Sequence, residues 1–172
     1  MASNQAVTLL PDAGPLIKLA YADALDLLLK PGWPVALVDM VLHEVTRSDT
    51  PTSARIAEWT RTTSIPVLET TIYHRYKQGG AASPVRKANL GELAIQEAMS
   101  DFGLTPDRTG VFLFEDHKIA RASFLLPDSC RKVSTRAFLA FLEQQGLIDS
   151  AFEVERRAIL AGRQFSQIRF PP

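Results

Sequence analysis

Val7-Thr8-Leu9-Leu10-Pro11-Asp12-Ala13-Gly14-Pro15-Leu16-Ile17-Lys18-Leu19-Ala20 decides how the rest of the chain is read. The apolar run Val7 to Leu10 stops at Asp12. Two small residues and a proline follow before an apolar-rich segment resumes, the pattern of a buried strand that turns sharply into a helix. Pro15 suits the first turn of that helix, where a missing N–H costs nothing. Asp12 then stands just past the C-terminal end of a central strand, the edge at which open α/β sheets bind ligands. An Asp just ahead of Gly or Pro also commonly caps a helix through its side chain, and taken alone Asp12 suits that role. Chemistry at this position requires further carboxylates at matching places.

The chain has 172 residues and is 46% hydrophobic, enough for one domain with a substantial core. That domain is read as residues 1–172, with a core over 7–162 and a tail over 163–172. Nineteen basic residues balance nineteen acidic ones, so no general electrostatic grip on nucleic acid is advertised. An anionic substrate would need a local basic patch or bound cations. Cys130 is the single cysteine, which excludes an internal disulfide and a cysteine cluster for structural zinc, and fits a reducing compartment. No segment approaches the ~20 apolar residues of a membrane helix, and the N-terminus lacks a signal pattern. The expectation is a soluble, cytoplasmic protein.

Beyond the opening stretch, helical spacing continues over 15–22 and 24–30, and Pro31-Gly32 ends it. Residues 34–38 read as a second buried strand followed by a helix over 39–47. On that helix Val41 and Val45 share one face, with Met40 and Glu44 on an adjoining one, so Glu44 lies about one turn past the strand. A helix glutamate is ordinarily a solvated charge. A helix over 49–63 opens on Asp49-Thr50-Pro51, and 65–68 is placed as a third strand. Residues 70–87 read as a long loop in which His74, Arg75, Lys77, Arg86 and Lys87 are interleaved with Tyr73 and Tyr76. That composition suits a phosphate backbone and a stacked base, and equally a solvated connector.

Asn89 to Met99 is the strongest helix. Asn89 and Glu92 have capping-box spacing, while Gly91 permits another group to come close. Residues 110–114 are a buried strand, and Glu115-Asp116 follow at once. Paired carboxylates there are costly unless solvent, a cation or a cap compensates them. A short helix over 117–121, a strand over 131–133, a helix over 136–145 closed by Gly146, and a last helix over 150–162 complete the chain. Strands alternating with helices give an α/β fold, a three-layer α/β/α sandwich around a parallel sheet of about five strands.

Asp12, Glu44, Glu92 and Asp116 thus occupy equivalent places along one sheet edge. Converging carboxylates repel unless a hard cation neutralises them, and oxygen-only ligation suits magnesium or manganese rather than zinc. Such a centre can activate water for phosphodiester hydrolysis. At this point the sequence resembles the PIN-domain ribonucleases, which include VapC-like toxins of type II toxin–antitoxin pairs. The resemblance is carried by Asp12-Ala13-Gly14-Pro15-Leu16-Ile17, Val41-Leu42-His43-Glu44-Val45, Leu90-Gly91-Glu92-Leu93-Ala94-Ile95 and Phe114-Glu115-Asp116-His117-Lys118-Ile119-Ala120-Arg121. It covers nearly the whole core, through the order and spacing of the motifs rather than any one of them.

The resemblance implies an Mg2+- or Mn2+-dependent endoribonuclease in which Asp12, Glu44, Glu92 and Asp116 hold the metal and act in catalysis. It also implies a cognate antitoxin and a homodimer. Arg75, Lys77, Arg86, Lys87 and Arg121 are the candidate phosphate contacts on RNA. Phe114 departs from the Thr or Ser that many relatives carry two residues before the last acidic position, and Glu115 competes with Asp116 for the fourth role. The alternative is a catalytically silent PIN-like module that binds RNA or protein. A haloacid-dehalogenase-like phosphatase is disfavoured because Gly14 stands where a second Asp would be needed.

Overall fold

The computed structural model describes residues 6–79, 90–105, 107–115 and 127–162. In chain order these form β1 (Ala6–Pro11), α1 (Ala13–Tyr21), a 3-10 turn (Leu25–Leu29), β2 (Leu37–Val38), α2 (Asp39–Thr46), α3 (Pro51–Thr62) and β3 (Val67–Leu68). Then come α4 (Thr71–Gly79), α5 (Leu90–Gly103), β4 (Arg108–Phe114), β5 (Cys130–Ser134), α6 (Thr135–Gln144) and α7 (Ala151–Leu160). The fold is α/β, as the alternation of apolar runs and helical spacing requires. Among the described residues no helix is long and apolar enough to cross a membrane.

The central sheet has three parallel strands in the order β1-β4-β5, with Pro11 opposite Leu113 and Phe114 opposite Ser134. This corrects the expected five-stranded sheet. β2 and β3 form a separate two-stranded parallel ladder, joined to β1 only by an isolated bridge between Leu9 and Val35. Proline accounts for the interruption. Leu9 donates to the Pro34 carbonyl at 2.8 Å and Ala36 to the Leu9 carbonyl at 3.0 Å, but neither Pro34 before this bridge nor Pro11 after it has an N–H with which to extend the ladder.

Strand alternation then sorts the faces. Phe112 meets Phe102 of α5 edge to face, with centroids 6.0 Å apart, so Gly110, Phe112 and Phe114 look toward the α5 side. Leu9, Leu10, Phe112, Leu113 and Phe114 are all buried, as are Leu16 and Leu19 of α1, Ala94, Ile95 and Met99 of α5, and Phe138, Leu139 and Leu142 of α6. Truncating any of these leucines to alanine would cost about 2–5 kcal/mol.

Two local readings change. The segment expected to be one long loop begins with α4, because Thr70 caps it: the Thr70 Oγ1 accepts the Tyr73 N–H at 3.2 Å. Thr70 is itself fixed by Asp39, whose buried carboxylate accepts the Thr70 N–H and hydroxyl, each at 2.7 Å. The helix expected over 24–30 is a 3-10 turn, a spacing of three that buries Leu25 and Leu28 together. Elsewhere the caps match the sequence: Thr50 accepts from Ser53, Ser134 from Ala137, and Gly146 takes φ +72° after α6. The expected helix over 117–121, the tail and the Asn89 cap lie outside the described residues.

Candidate carboxylate site at the strand-end edge

Because all paired strands are parallel, their C-terminal ends share one edge, and Asp12 sits on it directly after β1. Its backbone is fixed on both sides: the Asp12 N–H donates to Leu113 O at 2.9 Å, and the Asp12 carbonyl accepts from Leu16 at 3.3 Å. The residue occupies the N-cap position of α1 with φ −76° and ψ 175°, yet its side chain makes no capping hydrogen bond. Only 1% of Asp12 is exposed.

Glu44 leaves α2 and reaches the first turn of α5. Its Oε1 accepts the Gly91 N–H at 3.1 Å, and a Cβ on Gly91 would lie 2.6 Å from its Oε2. Gly91 therefore provides the close approach its position suggested, and the group that approaches is the Glu44 carboxylate. The positive end of the α5 dipole favours that charge. Glu92, partly buried, follows in the same turn, so Glu44 and Glu92 are brought to one helix terminus. Asp116 lies outside the described residues.

Glu115 is drawn elsewhere. It is 6% exposed and pairs with Lys18, itself 2% exposed, at 3.2 Å between Nζ and Oε2. Thr135 donates to its Oε1 at 3.3 Å, and a Cβ on Gly14 would come within 2.5 Å of its Cγ. Lys18 also meets Glu155 of α7 at 3.4 Å, and Glu155 meets Arg136 at 3.5 Å. Sequence reasoning missed Lys18, and the available signal was a lysine between Leu16 and Leu19 on the face that α1 buries.

Of the expected phosphate contacts, Arg75 and Lys77 are exposed on α4, whereas Arg86, Lys87 and Arg121 lie outside the described residues. The Lys77 ammonium rests 4.8 Å from the Tyr73 ring centroid. His43, the neighbour of Glu44, was also missed: its ring lies 5.5 Å from Tyr73 and 5.3 Å from Tyr76. Burial, and secondarily the charge of Arg47, lowers the His43 pKa below its ordinary 6.5. A cleft of about 730 Å³ beside α4 is lined by Glu69, Thr70, Tyr73, Lys77, Glu97 and Asp101, away from Asp12 and Glu44.

Carboxylate oxygens are the donors a hard cation prefers. Among the described residues, however, no group of three or more His, Cys, Asp or Glu is arranged to hold a metal ion, and the fourth expected ligand is outside them. No known protein family matches the chain, and no curated protein matches it.

Proposed function

We propose that this protein is a metal-dependent endoribonuclease of the PIN type, built as a three-layer α/β/α sandwich and acting as the toxin of a toxin–antitoxin pair. The observation that carries the reading is the delivery of Glu44, through Gly91, to the helix turn that bears Glu92. The burial of Asp12 at the end of β1 supports it, as does the order of the four acidic motifs. Asp12, Glu44, Glu92 and Asp116 would hold magnesium or manganese, which supplies charge neutralisation and activation of water when bound. In this reading Gly91 fixes the Glu44 carboxylate through its N–H, and Leu113 fixes the Asp12 backbone, so both groups are positioned before substrate arrives. Arg75 and Lys77, with Arg86, Lys87 and Arg121, contact RNA phosphates. An antitoxin covers the carboxylate edge, and the protein acts as a homodimer in the cytoplasm.

One observation favours a second reading. Phe114 is 2% exposed, so the position that carries a hydroxyl in many relatives is committed to the core. A catalytically silent module that binds RNA or a protein would retain the fold without turnover. The two readings separate when labelled single-stranded and structured RNAs are incubated with magnesium, manganese or chelator, beside Asp12→Asn. The ribonuclease reading predicts metal-dependent cutting that disappears in Asp12→Asn at an unchanged melting temperature. RNA binding without cutting supports the silent module, and collapse of the variant's fold makes Asp12 a structural residue.

A further inference from the structure

α4 is attached in an unusual way. None of its residues is fully buried; it packs mainly against α5, with Ile72, Tyr73 and Tyr76 against the core, and brings two tyrosine rings up to His43 of α2. Tyr73 and Tyr76 stack on each other with centroids 6.3 Å apart and 19° between planes. Both face the His43 ring, at 5.5 and 5.3 Å. All three residues are partly exposed. Residues 70–79 contain His74, Arg75 and Lys77 and no carboxylate, and Arg47, which caps the C-terminus of α2, is exposed one turn beyond His43. If the rings served only to dock a helix, aliphatic side chains would do so with less exposed aromatic surface. Partly exposed aromatic rings beside cations are instead the elements that bind an unpaired base and its phosphate.

We propose that His43, Tyr73 and Tyr76 form a stacking platform for an unpaired base of a single-stranded RNA, one residue away from Glu44. The proposal rests on the ribonuclease reading and specifies its substrate: bases already stacked in a duplex do not reach such a platform. Phosphate recognition falls to the exposed Arg47 and Arg75. The cleft that Tyr73 and Lys77 also border does not serve the phosphates, because Glu69, Glu97 and Asp101 line it. These rings are positioning groups for substrate and take no part in bond breaking.

The test is the KM and kcat of magnesium-dependent cleavage for the unmodified protein, Tyr73→Leu, Tyr76→Leu and Tyr76→Phe. It is paired with inhibition by two unlabelled strands of equal length, one carrying bases and one abasic. The leucine variants are expected to raise KM by about fivefold or more, with kcat and melting temperature retained, and Tyr76→Phe to restore KM, as loss and recovery of one base–aromatic stack require. The abasic strand is expected to inhibit far more weakly than the base-bearing one. That arm uses the unmodified protein and is independent of any folding defect in the variants. Cleavage with an unchanged KM in both leucine variants, or equal inhibition by the two strands, overturns the platform and leaves the ribonuclease standing. Absence of metal-dependent cleavage by the unmodified protein overturns the ribonuclease reading. In that case equal direct binding of the abasic and base-bearing strands overturns the platform as well.

Discussion

Glu115 and Glu44 reach their positions by the same device and end in opposite surroundings. Each carboxylate side chain passes where a glycine has left room, Gly14 for Glu115 and Gly91 for Glu44, with a built Cβ only 2.5 and 2.6 Å away respectively. Glu115 then meets a buried lysine and a threonine hydroxyl. Glu44 meets a backbone N–H at a helix terminus and remains partly exposed. The difference teaches how an acidic residue near a strand end is spent. A carboxylate sealed with a buried cation is a strut, because a second cation there would add charge that is already compensated. One held by a helix N-terminus keeps a side toward solvent and suits a cation from outside.

Breaking the strut gives the largest effect. Lys18→Met leaves Glu115 buried beside an apolar chain, and it should lower stability by about 3–5 kcal/mol, read from urea unfolding. A loss under about 1 kcal/mol would show that Glu115 does not depend on Lys18. The glycines come next. Gly14→Ala drives a methyl into the Cγ of a side chain anchored at its far end and should cost about 1–3 kcal/mol. Gly91→Ala meets only the far end of the Glu44 side chain and improves helix propensity by up to about 1 kcal/mol, so its stability should change little while RNA cleavage falls. Equal stability losses in the two variants would erase the proposed distinction.

Smaller changes sharpen it. Thr135→Val removes the hydroxyl that serves Glu115 and the Phe114 carbonyl, and should cost about 1 kcal/mol with cleavage retained. The smallest effect is a pH slope at His43, beside Glu44. Its lowered pKa means that the unfolded chain binds more protons than the folded one between that value and 6.5. Stability should therefore rise with pH across this window and be lost as the pH falls below 6.5. His43→Gln should flatten the difference in urea midpoint between acidic and neutral buffers, and an unchanged slope would assign it to other groups.

Much of this contrast was legible in the sequence, but only one side of it. The strand, small-residue turn and proline around Asp12 fix a strand-to-helix corner by local chemistry alone, and α1 follows it. Gly91 announces a close approach, although nothing local names Glu44, 47 residues earlier, as the group that arrives. The strut was illegible for the same reason: Lys18 is partnered by Glu155 at a separation of 137 residues, and no spacing rule reaches so far. The sheet was overcounted because apolar runs at 34–38 and 65–68 satisfy the strand pattern, while Pro11 and Pro34 remove the N–H groups that a continuous ladder needs. α4 was hidden by its charges and by the glycines after it, since its cap, Thr70, is recognisable only beside Asp39.

The most direct test sets the two carboxylates against each other: single-turnover cleavage of labelled single-stranded RNA at low temperature by Glu44→Gln and Glu115→Gln, each with its melting temperature. The account predicts that Glu44→Gln melts close to the unmodified protein and does not cut, whereas Glu115→Gln melts well below it and still cuts while folded. A cutting Glu44→Gln, or a stable and inert Glu115→Gln, would contradict the assignment of site to one and strut to the other.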